Sequence, residues 1–230
     1  MYTLYIANKN YSSWSLRPWL LLRELGIPFE ERVMPFEQGG SFEKFRAFSP
    51  TGRVPCLHDG ETVVWDSLAI TEYLAERHPG VWPADPAARA WARSASAEMH
   101  SGFGSLRHYC SMCVALRIRL HERPEALERD VARIGELWNE GLERFGGPFL
   151  AGGEFTAVDA FYAPVAFRVR GYGLELPGRA ADYPAHMLGL AGMRDWEAAA
   201  LAEPWRDDDH EKELAAAGEW LEDRRRPAGS

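Results

Sequence analysis

Three cysteines in 230 residues are few, and an odd number. They cannot build a disulfide framework, and the chain reads as one kept in a reducing compartment. Positive charge is also short, with 26 basic against 34 acidic residues and a net charge of −8. Phosphate recognition wants clustered cations, so no nucleic-acid partner is expected. The one dense basic run, Arg224-Arg225-Arg226, lies in the last seven residues and reads as a solvated tail. No stretch approaches the roughly 18 consecutive apolar residues of a membrane span. Met1-Tyr2-Thr3-Leu4-Tyr5 lacks the charged-then-apolar layout of a secretion signal. There is no internal repeat. What is present, 46% hydrophobic residues, suits a cytoplasmic globular chain of one large or two small domains.

The two halves differ in character. Residues 2–7 are β-rich and short, as a buried strand should be. After a polar loop, Leu16, Trp19, Leu20, Leu22 and Leu25 recur at helical spacing, and Gly26 and Pro28 supply the stop. Pro18 is tolerated in a first turn, which places the helix start around Trp14 or Ser15. A strand over 29–34 and a short helix over 42–48 follow. Strands over 56–58 and 62–65 flank Asp59-Gly60, a favoured hairpin dipeptide, and an amphipathic helix covers 67–78. A helical crossover makes the first two strands parallel, and the hairpin makes the last two antiparallel. The order β-α-β-α-β-β-α is that of a thioredoxin-like sheet. Residues 79–88 hold three prolines, a linker composition. Beyond them the reading finds no strand and helical runs over 87–121, 124–145, 157–171, 188–201 and 210–223. The expected organisation is α/β plus all-α: a thioredoxin-like domain at 1–78, the linker at 79–88, a helical bundle at 89–223 and a tail at 224–230.

A thioredoxin-like half places its working group where the first helix begins, because free amides and the dipole stabilise an anion there. That stretch reads Tyr11-Ser12-Ser13-Trp14-Ser15, without sulfur. Disulfide exchange at this point is excluded, but a hydroxyl can donate to a thiolate supplied by another molecule. Arg53-Val54-Pro55-Cys56 places a proline at strand entry, where a cis bond would let Val54 present its backbone to an extended ligand. Asp66-Ser67 opens the next helix. It reads equally as a plain N-cap and as a seat for a carboxylate and an ammonium.

Taken together, these features resemble the cytosolic glutathione S-transferase family over about residues 1–205. Ser12-Ser13-Trp14-Ser15-Leu16-Arg17 is similar to the serine signature of the zeta class and related bacterial enzymes, with Trp14 where that signature has cysteine. Ser49-Pro50-Thr51-Gly52-Arg53-Val54-Pro55 resembles the family's Val-Pro loop. Asp66 to Leu74 resembles its acidic-Ser helix start, and Thr156-Ala157-Val158-Asp159 its capping box.

The resemblance implies glutathione as cosubstrate, no metal, a small-molecule electrophile, a homodimer and a role in detoxification. Ser12 would donate to the glutathione sulfur, with Ser13 and Tyr11 as alternatives. Val54 and Pro55 would hold the cysteinyl backbone, Asp66 and Ser67 the γ-glutamyl end, with Ser13 and Arg53 beside the tripeptide. Tyr5 reads as core. Tyr11, Phe103, Arg107 and His108 are candidates for the electrophile's pocket, Phe103 and Arg107 sharing a helix face. Arg107 would suit a carboxylate-bearing electrophile. Alternatives are a glutathione-dependent cis-trans isomerase of the maleylacetoacetate type, or a binding protein without catalysis. Cys110-x-x-Cys113 lies within a helical run and reads as buried packing. Asp207-Asp208-Asp209-His210 reads as the cap of the last helix.

Overall fold

The computed structural model describes residues 1–225. Its first seven elements are β1 (Tyr2–Ile6), α1 (Ser13–Glu24), β2 (Phe29–Val33), α2 (Phe42–Arg46), β3 (Cys56–Asp59), β4 (Thr62–Trp65) and α3 (Ser67–Ala75). They form a sheet in the order β2-β1-β3-β4. β1 and β2 run parallel from Tyr2↔Phe29 to Ile6↔Val33, while β3 is antiparallel to β1 and to β4. This is the thioredoxin-like half expected from the pattern. Leu4, Ile6 and Leu57 are fully buried in it, as are Leu16 and Leu20 of α1. α1 begins at Ser13, earlier than Pro18 suggested, so Pro18 sits in its second turn. There the proline leaves one carbonyl without its helical donor.

The second half contains α4 (Pro86–Ser101), α5 (Gly104–Tyr109), α6 (Glu125–Arg144), α7 (Ala157–Tyr172), α8 (Tyr183–Leu188), α9 (Ala191–Ala202) and α10 (Asp208–Ala217). α4 thus starts inside the stretch read as linker. α7 is buried along most of its length, as a helix apolar on every side must be. Its first turn is anchored by Asp159, which accepts from the Leu150 and Thr156 amides at 2.9 Å and from the Tyr183 hydroxyl at 2.7 Å.

Three readings of this half are corrected. The helical run over 87–121 breaks at Gly102, where Phe103 takes a left-handed φ of 57° before α5. Cys110 and Cys113 therefore lie beyond α5 rather than within a helix. Strands are present: β5 (Leu116–Leu120) pairs antiparallel with β6 (Gly218–Asp223), and both had been read as helix. Leu116-Arg117-Ile118-Arg119-Leu120 alternates apolar and polar, a period-two signal. Its partner is about a hundred residues away, and the abundance of good helix formers masks it. Finally, the basic run is not a solvated tail where it is described. Arg225 is buried, and its guanidinium meets Asp223 and Glu211; Arg224 pairs with Glu197. Arg226 and the rest of the tail lie outside the described residues.

Candidate active site

The loop after β1 turns on Asn8, whose carbonyl accepts from the Tyr11 and Ser12 amides at 3.2 and 2.9 Å. Ser12 is thereby set as the N-cap of α1, with the first-turn amides of the helix pointing past it. Its hydroxyl does not cap the helix. Instead Oγ donates to Ser15 Oγ at 2.7 Å, and Ser15 Oγ accepts from the Ala7 amide at 3.3 Å. Both hydroxyls are buried, and Ser12 lines a cavity of about 580 Å³ between the two halves. Ser13 lines it too, its amide donating to the Tyr11 carbonyl at 2.9 Å.

Tyr11 also lines this cavity, but its hydroxyl is committed. It donates to Glu211 Oε1 at 2.5 Å and accepts from Arg225 Nη1 at 3.0 Å. Burial, and then the Glu211 carboxylate, push its phenol far above the ordinary range. Its ring stacks on His210, whose other face meets Phe36. Tyr5 is half-buried against Phe48, with ring centroids 4.4 Å apart.

A second cavity of about 540 Å³ holds Pro55, Trp65, Asp66 and Ser67. Trp14, Phe42, Arg53 and Val54 line both, so the two form one cleft divided at Trp14. The Val54–Pro55 bond is cis, and Gly52 turns into it with φ +62°, a conformation glycine adopts without steric cost. Asp66 also has a positive φ, 72°, unusual for a residue with a side chain. Its carboxylate caps α3 by accepting from the Leu68 amide at 2.8 Å. His100 Nε2 stands 3.6 Å from Asp66. Burial lowers the His100 pKa, Asp66 opposes that, and the charges of Arg17 and Arg107 reinforce it.

Sequence reasoning missed three polar residues here. Ser15 orients Ser12; a hydroxyl three positions on in a helix was the signal. Arg17 is 1% exposed and lies under Trp14, its guanidinium carbon 4.1 Å from the ring centroid. Its Nη1 reaches Ser67 Oγ at 3.5 Å, while Nε and Nη2 are buried without partners among the described residues. Arg168 of α7 lines the main cavity and carries no local signal at all. Of the expected pocket residues, Arg107 does line the main cavity, over the opposite side of Trp14 at 4.7 Å. Phe103 and His108 do not. Phe103 turns into the core toward Tyr162, because the break at Gly102 rotates it away. His108 lines a separate cavity of about 670 Å³ on the other side of Arg107. Asp207 caps α10 as expected, accepting from the His210 amide. Among the described residues, no cluster of His, Cys, Asp and Glu has the arrangement of a metal site.

Comparison with known proteins agrees with this geometry. Residues 11–77 match the family model described as glutathione S-transferase, N-terminal domain, and residues 124–207 match that of the C-terminal domain. The glutathione S-transferase-like protein gedE of Aspergillus terreus is 31% identical over 156 residues, covering 61% of this chain and 67% of that protein. Maleylacetoacetate isomerase of Rattus norvegicus is 26% identical over 218 residues, covering 92% and 96%. A glutathione transferase homologue from Burkholderia, solved with bound glutathione, superposes with a TM-score of 0.66 at 23% identity, over 86% of this chain and 97% of that one. With both halves matched in order and the cleft between them, the chain belongs to the glutathione S-transferase family.

Proposed function

We propose that this protein binds glutathione in the cleft, activates its thiol through Ser12, and directs the thiolate at a small electrophile, hydrophobic or carboxylate-bearing. The observation that carries the reading is the hydroxyl of Ser12 at the N-terminus of α1, open to the main cavity and backed by Ser15. Val54 and the cis Pro55 then take the cysteinyl backbone, and Asp66 and Ser67 the γ-glutamyl end, with Arg53 and Ser13 alongside. Ser12 is favoured over Tyr11 because the tyrosine proton is held by a carboxylate, Glu211, which can only accept, whereas the Ser12 proton goes to the Ser15 hydroxyl, which can turn and donate in its place. The chain is read as a cytoplasmic homodimer, with its two domains at 1–78 and 89–223.

The electrostatics suffice. A free thiol titrates near 8.5 and is only ~3% thiolate at pH 7. About 2 kcal/mol of stabilisation lowers that pKa by about 1.5 units. A charge-assisted hydrogen bond supplies roughly 1.5–3 kcal/mol, and the helix terminus adds about 0.3–1. With a thiolate in place, the Ala7 amide donates to Ser15, Ser15 donates to Ser12, and Ser12 donates to sulfur. Each donor strengthens the next. Two outcomes are open to the activated thiolate. It displaces a leaving group and stays, or it adds to an activated double bond and departs after rotation. The second is the reaction of a cis-trans isomerase, and the similarity to maleylacetoacetate isomerases supports keeping it.

The test is calorimetric titration of glutathione, with thiolate absorbance followed across pH, in wild type, Ser12→Ala and Ser15→Ala. The expected result is a thiol pKa lowered by about 1.5 units in wild type, restored in Ser12→Ala and partly restored in Ser15→Ala. Binding with an unshifted pKa in all three moves activation away from Ser12. No binding removes the reading.

A further inference from the structure

Arg168 presents an uncompensated buried charge at the wall of the main cavity. It is 4% exposed, and its Nε donates to the Cys110 carbonyl at 2.8 Å, which fixes the plane of the guanidinium. Its Nη1 is buried and has no partner among the described residues. Burial, and then the charge of Arg107, lower its pKa to about 10, so it remains a cation at neutral pH. A buried cation is costly unless something of opposite charge meets it.

Among the described residues nothing does so. No carboxylate is among the groups acting on Arg168. The acids on the facing wall are turned elsewhere or exposed. Asp207 accepts from the His210 amide and meets its Nδ1 at 2.7 Å, Asp209 pairs with Lys212 at 3.2 Å, Glu37 pairs with Lys44 at 2.9 Å, and Glu213 is exposed. Arg107 lies on the same cavity and binds the Gly102 and Met99 carbonyls, not a carboxylate. Asp130 acts on Arg107 only at a distance and accepts from the Leu106 amide at 2.9 Å. In a chain with eight more acidic than basic residues, two cations stand on one cavity wall without an acid paired to them among the described residues.

We propose that Arg168, with Arg107 beside it, is an anion subsite that selects a second substrate carrying a carboxylate, seated where the Arg168 guanidinium borders the cavity. The use of that substrate rests on the transferase reading; the subsite does not. Direction along the cavity then follows, with the carboxylate at the bundle wall and the electrophilic carbon toward Ser12. For a chlorodinitrobenzoate the thiolate sulfur forms a bond to the ring carbon bearing chlorine, and chloride leaves with its bonding pair. No other co-reactant is needed.

The test has two arms on the full chain. In the first, dinitrobenzoate and the neutral dinitrobenzene are titrated without glutathione, following quenching of tryptophan fluorescence. Wild type is expected to hold the carboxylate tighter than the neutral ring by roughly tenfold or more. That ratio falls to near one in Arg168→Met and is partly kept in Arg168→Lys. A wild type without preference overturns the proposal. So does an Arg168→Met protein that loses both ligands in equal measure, the result of a purely structural role. In the second arm, kcat/KM with glutathione is compared for chlorodinitrobenzoate and chlorodinitrobenzene, and the same ratio is expected to fall. Failure to conjugate either compound, with the binding preference intact, would defeat the transferase reading and leave the subsite standing.

Discussion

Cys56, Cys110 and Cys113 are all buried, and burial is the first cause that raises their thiols, to about 11, 12 and 11. A pKa raised that far keeps the sulfur protonated through neutrality: at pH 8 a group titrating near 11 is only ~0.1% thiolate. An aromatic disulfide reagent at pH 8 is therefore expected to leave all three unlabelled in the native protein and to label all three in denaturant. Rapid native labelling of any one would contradict the burial. The chain thus keeps its own thiols out of the lining of a cleft proposed to hold the thiol of another molecule. At this scale the serine at the start of α1 was legible from sequence, because a helix N-terminus without cysteine is a local feature. The choice between Ser12 and Tyr11 was not. It turns on Glu211 and Arg225, some two hundred residues away along the chain.

Among elements, α10 forms one wall of the main cavity, and α10 and the end of β6 are tied to α1's loop by a small ionic network. Arg225 meets Glu211 and Asp223, and donates to the Tyr11 hydroxyl. Burial alone would raise Asp223, but hydrogen bonds from the Arg225 side chain and backbone outweigh it and hold its pKa down to about 2. A folded pKa below the unfolded ~3.9 means the contribution is complete above about pH 4 and is lost as pH falls toward 2. Arg225→Met removes the buried one of two cations and leaves Glu211 and Asp223 to the half-exposed Arg206, 3.7 and 3.3 Å from them. Breaking a fully buried pair costs about 3–5 kcal/mol; both carboxylates here keep some contact with water, so roughly 2–4 is expected. Urea unfolding at pH 7 and pH 3 checks this. The variant should be less stable at pH 7, and its deficit should shrink at pH 3. The ribbon of β5 and β6 explains why this region was read wrongly. Arg119 and Glu219 pair across it, but on a single chain both strands are full of good helix formers, and only the distant partner selects the extended form.

The two halves meet through one shared apolar core and a set of polar contacts beside it, which bears on how the whole molecule unfolds. Glu203, at the end of α9, accepts from the Lys9 amide at 2.6 Å and the Asn10 amide at 3.3 Å. Asn10 donates from its side chain to the Ala200 carbonyl, and Trp196 donates to the Lys9 carbonyl at 3.0 Å. Lys9 stands between the rings of Trp19 and Trp196, 5.2 and 5.4 Å from their centroids, while its charge is met by Glu31 at 2.7 Å. α1 is buried on the sheet side and on the bundle side alike. The order of the two domains was readable because each has its own local period, of two then of 3.6. How they dock was not, since the contacts of Glu203, Ala200 and Trp196 with Lys9 and Asn10 are joined across the boundary between them. Separating the halves would expose this shared apolar core to water, so the sheet domain and bundle should unfold as one unit. Far-ultraviolet dichroism, dominated by the bundle, and fluorescence, with Trp19 and Trp196 at the interface, are expected to give coincident urea transitions. Glu203→Ala leaves the Lys9 and Asn10 amides unsatisfied, at a cost of about 1–3 kcal/mol each if no water replaces the carboxylate. Both transitions should then move to lower urea together. If the fluorescence change shifts while the dichroism change stays, the halves are independent, and the cleft between them is a loose contact rather than a preorganised site.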